Sequence, residues 1–241
     1  MSGVYRADAI MKNMSEISLS KKFNVINLGQ KDYQEVWDIQ RMIHKKRVDK
    51  KIDNTLLLGE HMPVMTMGKS GKARNLLFTP DLLEAKGISY YEIERGGDVT
   101  YHGPGQLVGY PIFNVKEGLA GIKPFVNNME DAVIKTLADF DITGEKREKM
   151  IGVWTQGKKI CSIGIAVKRW VSFHGFALNV NTNLEHFNLI VPCGLKNVTM
   201  TSMQVILGCT VDIEEVKQSI VKSFCSVFQI DSRKICLDEI I

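Results

Sequence analysis

Apolar positions change their period several times along the chain. Over 23–28 they alternate as on a strand, and from Tyr33 onward Val36, Ile39 and Ile43 recur at helical spacing with Trp37 beside them, which predicts a strand followed by a helix. Short β-rich runs at 54–60, 64–68, 88–94 and 106–115, each closed by Gly, Pro or charged residues, predict neighbouring strands. Pro124 sits where a first helical turn accepts proline, and Val126, Met129, Val133, Leu137 and Phe140 continue at helical period, so a helix is expected to about Phe140. Strands return at 151–156, 159–168 and 170–181, the first two joined by a turn at Gly157-Lys158, which predicts a β-meander. A last helix carries Ile213, Val216, Ile220, Phe224 and Val227 along one stripe. Strands and helices mix without strict βαβ alternation, so the expected fold is α/β with a mixed β-sheet rather than a doubly wound one.

The chain has 241 residues, 44% hydrophobic and 24% charged, enough to bury one substantial core. One domain over 23–241 is expected, behind an N-terminal extension, 1–22, that lacks an apolar stretch of signal-peptide length and is expected to be poorly ordered. No run approaches the ~20 apolar residues that span a bilayer, which excludes membrane insertion. Thirty-one basic and 27 acidic side chains leave a formal charge of +4, too mild to imply nucleic-acid binding but compatible with an acidic protein partner. The stretch HKKRVDKK at 44–51 reads either as a docking patch for such a partner or as a solvated helix end. Five cysteines, an odd number with no C-x-x-C spacing, argue against a disulfide framework and against a zinc site, and point to a reducing cytoplasm.

Candidate chemistry gathers in four places. RGGDVTYHGPGQ, 95–106, packs four glycines and a proline around Thr100, Tyr101 and His102, yet it matches neither G-x-G-x-x-G nor a Walker loop. Either the glycines let backbone approach a ligand while His102 handles a proton near neutral pH, or the stretch is a tight hairpin corner whose His caps a loop. His174 in SFHGFALN is a lone histidine on a strand, a setting that usually means a satisfied core residue. Cys193 stands between Pro192 and Gly194 in IVPCG, where small turn residues expose a thiol, whereas Cys161 and Cys225 read as small core hydrophobes and nothing around Cys209 or Cys236 argues for reactivity. By strand alternation Lys159 shares a face with Cys161, Ile163, Ile165 and Val167, as the single charge on it, unless it snorkels to water from the strand mouth.

Taken in order, LGEHMPVMTMGK, RGGDVTYHGPGQ, KICSIG, SFHGFALNVN and VPCG closely resemble the lipoyl(octanoyl) transferases, over about 23–203. The resemblance implies the fold of biotin and lipoate protein ligase catalytic domains, a mixed β-sheet flanked by helices. It implies transfer of an octanoyl group from octanoyl-acyl carrier protein to a lysine of lipoyl domains, with no cofactor and no metal. Residue by residue, it implies Cys193 as the nucleophile that becomes an acyl thioester and Lys159 as the lysine that lowers its pKa. The substrate-binding stretches carry over to Arg95, Gly96, Gly97, Asp98, Val99, Thr100, Tyr101 and His102, to Ser162, Ile163 and Gly164, and to Gly175, Phe176 and Ala177. Tyr101 and His102 would position the reacting carbonyl or the incoming amine. An ATP-dependent lipoate ligase shares the fold and a strand lysine, but it activates its acid as an adenylate and needs no nucleophilic thiol.

Overall fold

The computed structural model describes residues 22–117, 120–190 and 198–240. Strand β1 (Phe23–Lys31) leads into α1 (Tyr33–Val48), and the apolar run TLLLGEH forms β2 (Thr55–His61). Leu56 and Leu58 enter one core while Leu57 enters another, so this strand is buried on both faces. After β3 (Val64–Met67), the short α2 (Pro80–Glu84), β4 (Ser89–Glu92) and β5 (Val99–His102), the chain returns to the main sheet as β6 (Gln106–Ile112). Helix α3 (Ile122–Ala138) precedes the antiparallel run β7 (Glu145–Arg147), β8 (Met150–Thr155), β9 (Lys158–Lys168) and β10 (Val171–Asn179). The short α4 (Met203–Leu207), α5 (Ile213–Phe228) and β11 (Ser232–Lys234) follow.

Among the described residues the main sheet has eight strands in the order β11-β1-β2-β6-β10-β9-β8-β7. Its first three strands are parallel and the rest antiparallel, a mixed sheet as expected. The apolar stripes of α3 and α5 cover one face, where Phe125, Met129, Val133, Ile220 and Phe224 meet Leu107, Cys161, Phe176 and Leu178. Val36, Ile39 and Ile43 of α1 cover the other face over Ile26, Leu57, Val108 and Ile112. The meander over 150–179 forms as its turn chemistry predicted.

Three features depart from the simple pattern. The runs at 64–68 and 88–94 do not neighbour those at 54–60 and 106–115; they form a separate three-stranded sheet, β4-β3-β5. Its third strand is 99–102, inside the glycine-rich stretch, so this is not a hairpin corner: β5 pairs antiparallel with β3 and the turn comes after it, at Gly103–Gly105. Helix α3 ends at Ala138, two residues before Phe140, which lies in the turn that follows.

The third departure is a β-bulge. Val153 faces Cys161 and Trp154 faces Lys159, which leaves Ile160 as an extra residue on β9. Val153, Ile160 and Cys161 enter the core under α3 and α5. Cross-strand partners share a face, so Lys159 goes with Trp154 to the opposite side, and its ammonium lies 5.6 Å from that indole centroid. Strict alternation had placed Lys159 beside Cys161; one inserted residue reverses it.

Candidate active site

On the face to which the bulge turns Lys159, a cavity of about 450 Å³ opens between the main sheet and the small one, within the ~300–1,000 Å³ range of small-molecule pockets. Its floor is β9 and β10, with Ser162, Gly164, Gly175 and Ala177. Small residues there leave room above the sheet. Its roof is the 95–98 loop with β5, and Tyr33, Val108 and Tyr110 close one flank. Beyond Cys161 strand β9 has no β8 partner, and the cavity wraps that edge to Ile122, Val126 and Ile151. The roof is anchored to the floor by the Gly96 N–H, which donates to the Ile165 carbonyl at 2.9 Å. Gly97 turns the loop at φ +86°, a conformation that disfavours a side chain. The Asp98 carboxylate then accepts from the Asn75 side-chain amide and from the Val99 N–H at 2.7 Å.

A chain of buried hydrogen bonds fixes the polar part of the roof. Arg95 donates through Nη2 to the Thr66 carbonyl (2.6 Å) and to Thr66 Oγ1 (2.9 Å). Gln106 uses its amide N–H groups on the Tyr101 carbonyl and Asn179 Oδ1, so its Oε1 accepts from His102 Nδ1 at 2.8 Å. His102 Nε2 is thereby the lone-pair nitrogen and accepts from the Thr66 hydroxyl at 3.4 Å. Burial, reinforced by the charges of His61 and Arg95, pushes His102 down to about 3. Burial and these bonds favour a neutral ring that holds position over one that handles a proton near neutral pH. Asn179 continues the chain by donating to the Thr201 carbonyl at 2.9 Å.

Lys159 is 3% exposed, which removes the snorkelling alternative. Its backbone N–H donates to the Thr199 carbonyl and its carbonyl accepts from the Thr201 N–H, both at 2.9 Å, so β9 is stitched to 199–201 at this residue. The side chain passes over Gly152, where a Cβ would stand 2.6 Å from Lys159 Cε and 2.5 Å from the Cys161 carbonyl oxygen. Glycine there makes the passage possible, and its N–H is held by the buried Glu130 carboxylate at 2.9 Å.

The sequence profile of the lipoyl protein ligase A/B catalytic domain matches residues 32–225. An octanoyltransferase of Caldicellulosiruptor bescii is 49% identical over 207 residues, covering 85% of this chain and 91% of the relative. The chain belongs to the octanoyltransferase family. A second relative, the octanoyltransferase of Christiangramia forsetii, is 43% identical over 228 residues, covering 88% of this chain and 97% of its own. Among solved structures, lipoate-protein ligase A bound with ATP superposes at TM-score 0.71 with 16% identity over 91% of this chain and 92% of that one. A bipartite lipoate protein ligase from Thermoplasma acidophilum, solved in a study of its E2 lipoyl domain, gives 0.70 at 15% over 91% and 90%. Those likenesses establish the fold, a lipoate ligase catalytic architecture.

In this enzyme Arg95 through Thr100, His102, Ser162 through Gly164, Gly175 through Ala177 and Lys159 all line the one cavity. Tyr101 does not. Its ring turns into the small core against His186 and Phe187, and burial raises its hydroxyl to about 12. Cys193 lies outside the described residues, as do 191–197 as a whole. Cys161 is fully buried and its thiol is pushed up to about 12 by that burial, which fits its reading as a core hydrophobe. Sequence reasoning missed Tyr33, Thr66, Gln106, Asn179 and Gly152, each of which takes its meaning from residues on another element of the fold. Among the described residues, no cluster of three His, Cys, Asp or Glu could hold a metal ion, and no helix is long and apolar enough to cross a membrane.

Proposed function

We propose that the enzyme takes octanoyl from octanoyl-acyl carrier protein onto the Cys193 thiol and passes it to a lysine amine of a lipoyl domain. The observation that carries this reading is Lys159: a buried cation on the wall of a largely apolar cavity, tied by its own backbone to 199–201, six residues beyond Cys193 in sequence. An unperturbed thiol, pKa ~8.5, is a few per cent thiolate at pH 7. An ammonium within about 4 Å at an effective dielectric of 20 attracts the thiolate by up to roughly 4 kcal/mol, and even a single pKa unit raises the thiolate fraction nearly tenfold.

In the first step the Cys193 thiolate attacks the donor carbonyl, and the carrier's thiol leaves with the proton; one thioester replaces another near balance. In the second, the neutral lysine amine attacks the enzyme thioester, a C–N bond forms, the C–S bond breaks, and the amine's proton ends on the released thiol or solvent. Thioester to amide is downhill. The apolar walls select the chain by contact: each buried methylene contributes about 0.8 kcal/mol, so hexanoyl transfer should fall roughly tenfold. The donor thioester already carries the activation that a ligase draws from a nucleotide. Transfer from octanoyl-acyl carrier protein without ATP supports the reading; activity with free octanoate that appears on adding ATP and magnesium, and none with the carrier thioester, would replace it with a ligase.

A further inference from the structure

Among the described residues that line the cavity, Gly96, Gly97, Ile122, Lys149 and Ile151 are exposed, and the rest are buried or half-buried. Those five mark the mouth. It runs along the free edge of β9, with the roof loop on one side and a lip of Ile122 and Ile151 on the other. Ile151 adjoins Gly152, over which the Lys159 side chain passes, so the mouth opens beside the lysine. The lip is apolar and in water, with Ile122 46% and Ile151 56% exposed. Two exposed isoleucines alone mean little; what sets the lip apart is the charge around it.

The roof loop is backed by the segment 68–75. A Cβ on Gly68 would stand 2.4 Å from the Gly97 carbonyl oxygen, the Ser70 N–H donates to that carbonyl at 3.0 Å, and the Asp98 carboxylate accepts from the Lys72 N–H at 3.4 Å and from the Asn75 amide. Lys69 shares a groove with Glu92 and Glu94, which leaves Lys72 and Arg74 as exposed cations with no ion pair among the described residues. On the lip side Lys123 is exposed and likewise unpaired, while Lys146 and Arg147 pair with Asp131 and Glu145. Lys149 lies 3.8 Å from Glu148 with both side chains almost wholly in water, where such a pair holds little. Positive charge thus flanks the mouth on both sides, with Glu148 as its one nearby unburied carboxylate outside those pairs. The stretch 44–51 makes no comparable surface. His44 is spent on the Lys168 and Val171 carbonyls, Lys46 on the Ile240 carbonyl and Arg47 on Asn54 and Glu117, and none of 44–51 lines the cavity.

We infer that this mouth is the docking surface for the donor, an acidic carrier protein whose phosphodiester-bearing arm meets the flanking cations while the acyl chain passes the isoleucine lip. The inference rests on the octanoyl-transfer reading above and adds to it where the donor binds. Charge chooses between the two partners. The donor's arm keeps a phosphodiester anion outside when its thioester enters, whereas the acceptor presents a lysine, which as an ammonium the same cations repel. Steady-state kinetics with octanoyl-acyl carrier protein test it, beside octanoyl-pantetheine, which lacks both the protein and the phosphate. Lys72→Glu/Lys123→Glu reverses one exposed charge on each side of the mouth, and a glutamate in the first turn of α3 favours that helix. The double variant should lower kcat/KM for the carrier thioester at least about tenfold and keep kcat, and kcat/KM for octanoyl-pantetheine, within about twofold of wild type. High salt should shrink the loss by screening. Lys45→Glu/Lys51→Glu, on the other basic stretch, should match wild type on both thioesters. Unchanged kinetics on the carrier thioester, an equal loss on octanoyl-pantetheine, a raised KM for the lipoyl domain alone, or a larger effect from Lys45→Glu/Lys51→Glu each overturns the docking surface and leaves octanoyl transfer intact. A wild type that transfers from neither thioester overturns the transfer reading and the docking surface with it.

Discussion

Replacing Gly152 by alanine adds one methyl group at the point where Lys159 enters the cavity. The added Cβ would stand 2.5 Å from the Cys161 carbonyl oxygen, 2.6 Å from Lys159 Cε and 3.2 Å from Nζ, and the backbone there has φ +127°. Two costs follow. A residue with a Cβ held in a sparsely populated backbone region costs on the order of 1–3 kcal/mol, and forcing a methyl into occupied space costs a further ~1–3 kcal/mol. The lysine end is flexible and can swing away, but the Cys161 oxygen belongs to a strand paired on both sides and cannot. Stability should therefore fall by about 2–6 kcal/mol, or roughly 5–20 °C in Tm for a domain of this size. Where the variant is still folded, transfer should drop at least ~10-fold because the ammonium is displaced. Differential scanning calorimetry with octanoyl-transfer rates measured 15 °C below each midpoint checks both parts. A midpoint within 1 °C of wild type, with unchanged transfer, would refute the argument that Gly152 makes way for Lys159.

Four other substitutions or conditions probe the site. Lys159→Met should slow iodoacetamide alkylation of Cys193 at pH 7 by about tenfold or more, with recovery at higher pH and partial rescue by Lys159→Arg; superimposable pH profiles for wild type and Lys159→Met would leave Lys159 with no activating role. Cys161, with its thiol raised to about 12 by burial, should stay unlabelled by iodoacetamide in the folded enzyme, and rapid labelling there, mapped by peptide analysis, would contradict its burial. Thr66→Val breaks the link between Arg95 and His102 and removes the hydroxyl that donates to buried His102 Nε2, while Arg95 keeps the Thr66 carbonyl, so urea unfolding should show a loss of about 1–3 kcal/mol, and a neutral result would discount the chain of hydrogen bonds. Burial holds His102 near 3 and His61 near 4, both below the unfolded value of ~6.5. Above pH 7 neither histidine affects stability; as pH falls toward 5 the unfolded chain takes up protons that the folded one refuses, and each should cost roughly 1–2 kcal/mol, so urea midpoints that stay flat from pH 7 to 5 would argue against neutral buried rings.

Much of this architecture was legible from local pattern. The two long helices that cover the main core, the meander and β2 all follow from period and turn chemistry, because each buries a stripe set by its own sequence. What escaped was set by partners far along the chain. Residues 99–102 carry a strand signal, VTYH, but four glycines around it read as a loop until β3 supplies the pairing edge. The bulge at Ile160 follows from register with β8 and leaves no mark in KICSIG, so alternation put Lys159 on the wrong face even though the residue itself was singled out. The role of His102 stayed open between a proton carrier and a loop cap because a sequence does not display burial; the roof of the cavity and its neighbours Thr66 and Gln106 favour a neutral link. Tyr101 was carried along with its neighbours although strand alternation turns it away from the cavity that His102 and Thr100 line.

The account stands most directly on an acyl-enzyme at Cys193. Incubating the wild-type enzyme with octanoyl-acyl carrier protein in the absence of a lipoyl domain, followed by intact-mass measurement and peptide mapping, should reveal one octanoyl adduct, located on Cys193. The adduct should be absent from Cys193→Ser, present in Cys161→Ser, and discharged on adding a lipoyl domain. An adduct on another cysteine, or full transfer by Cys193→Ser, would contradict it.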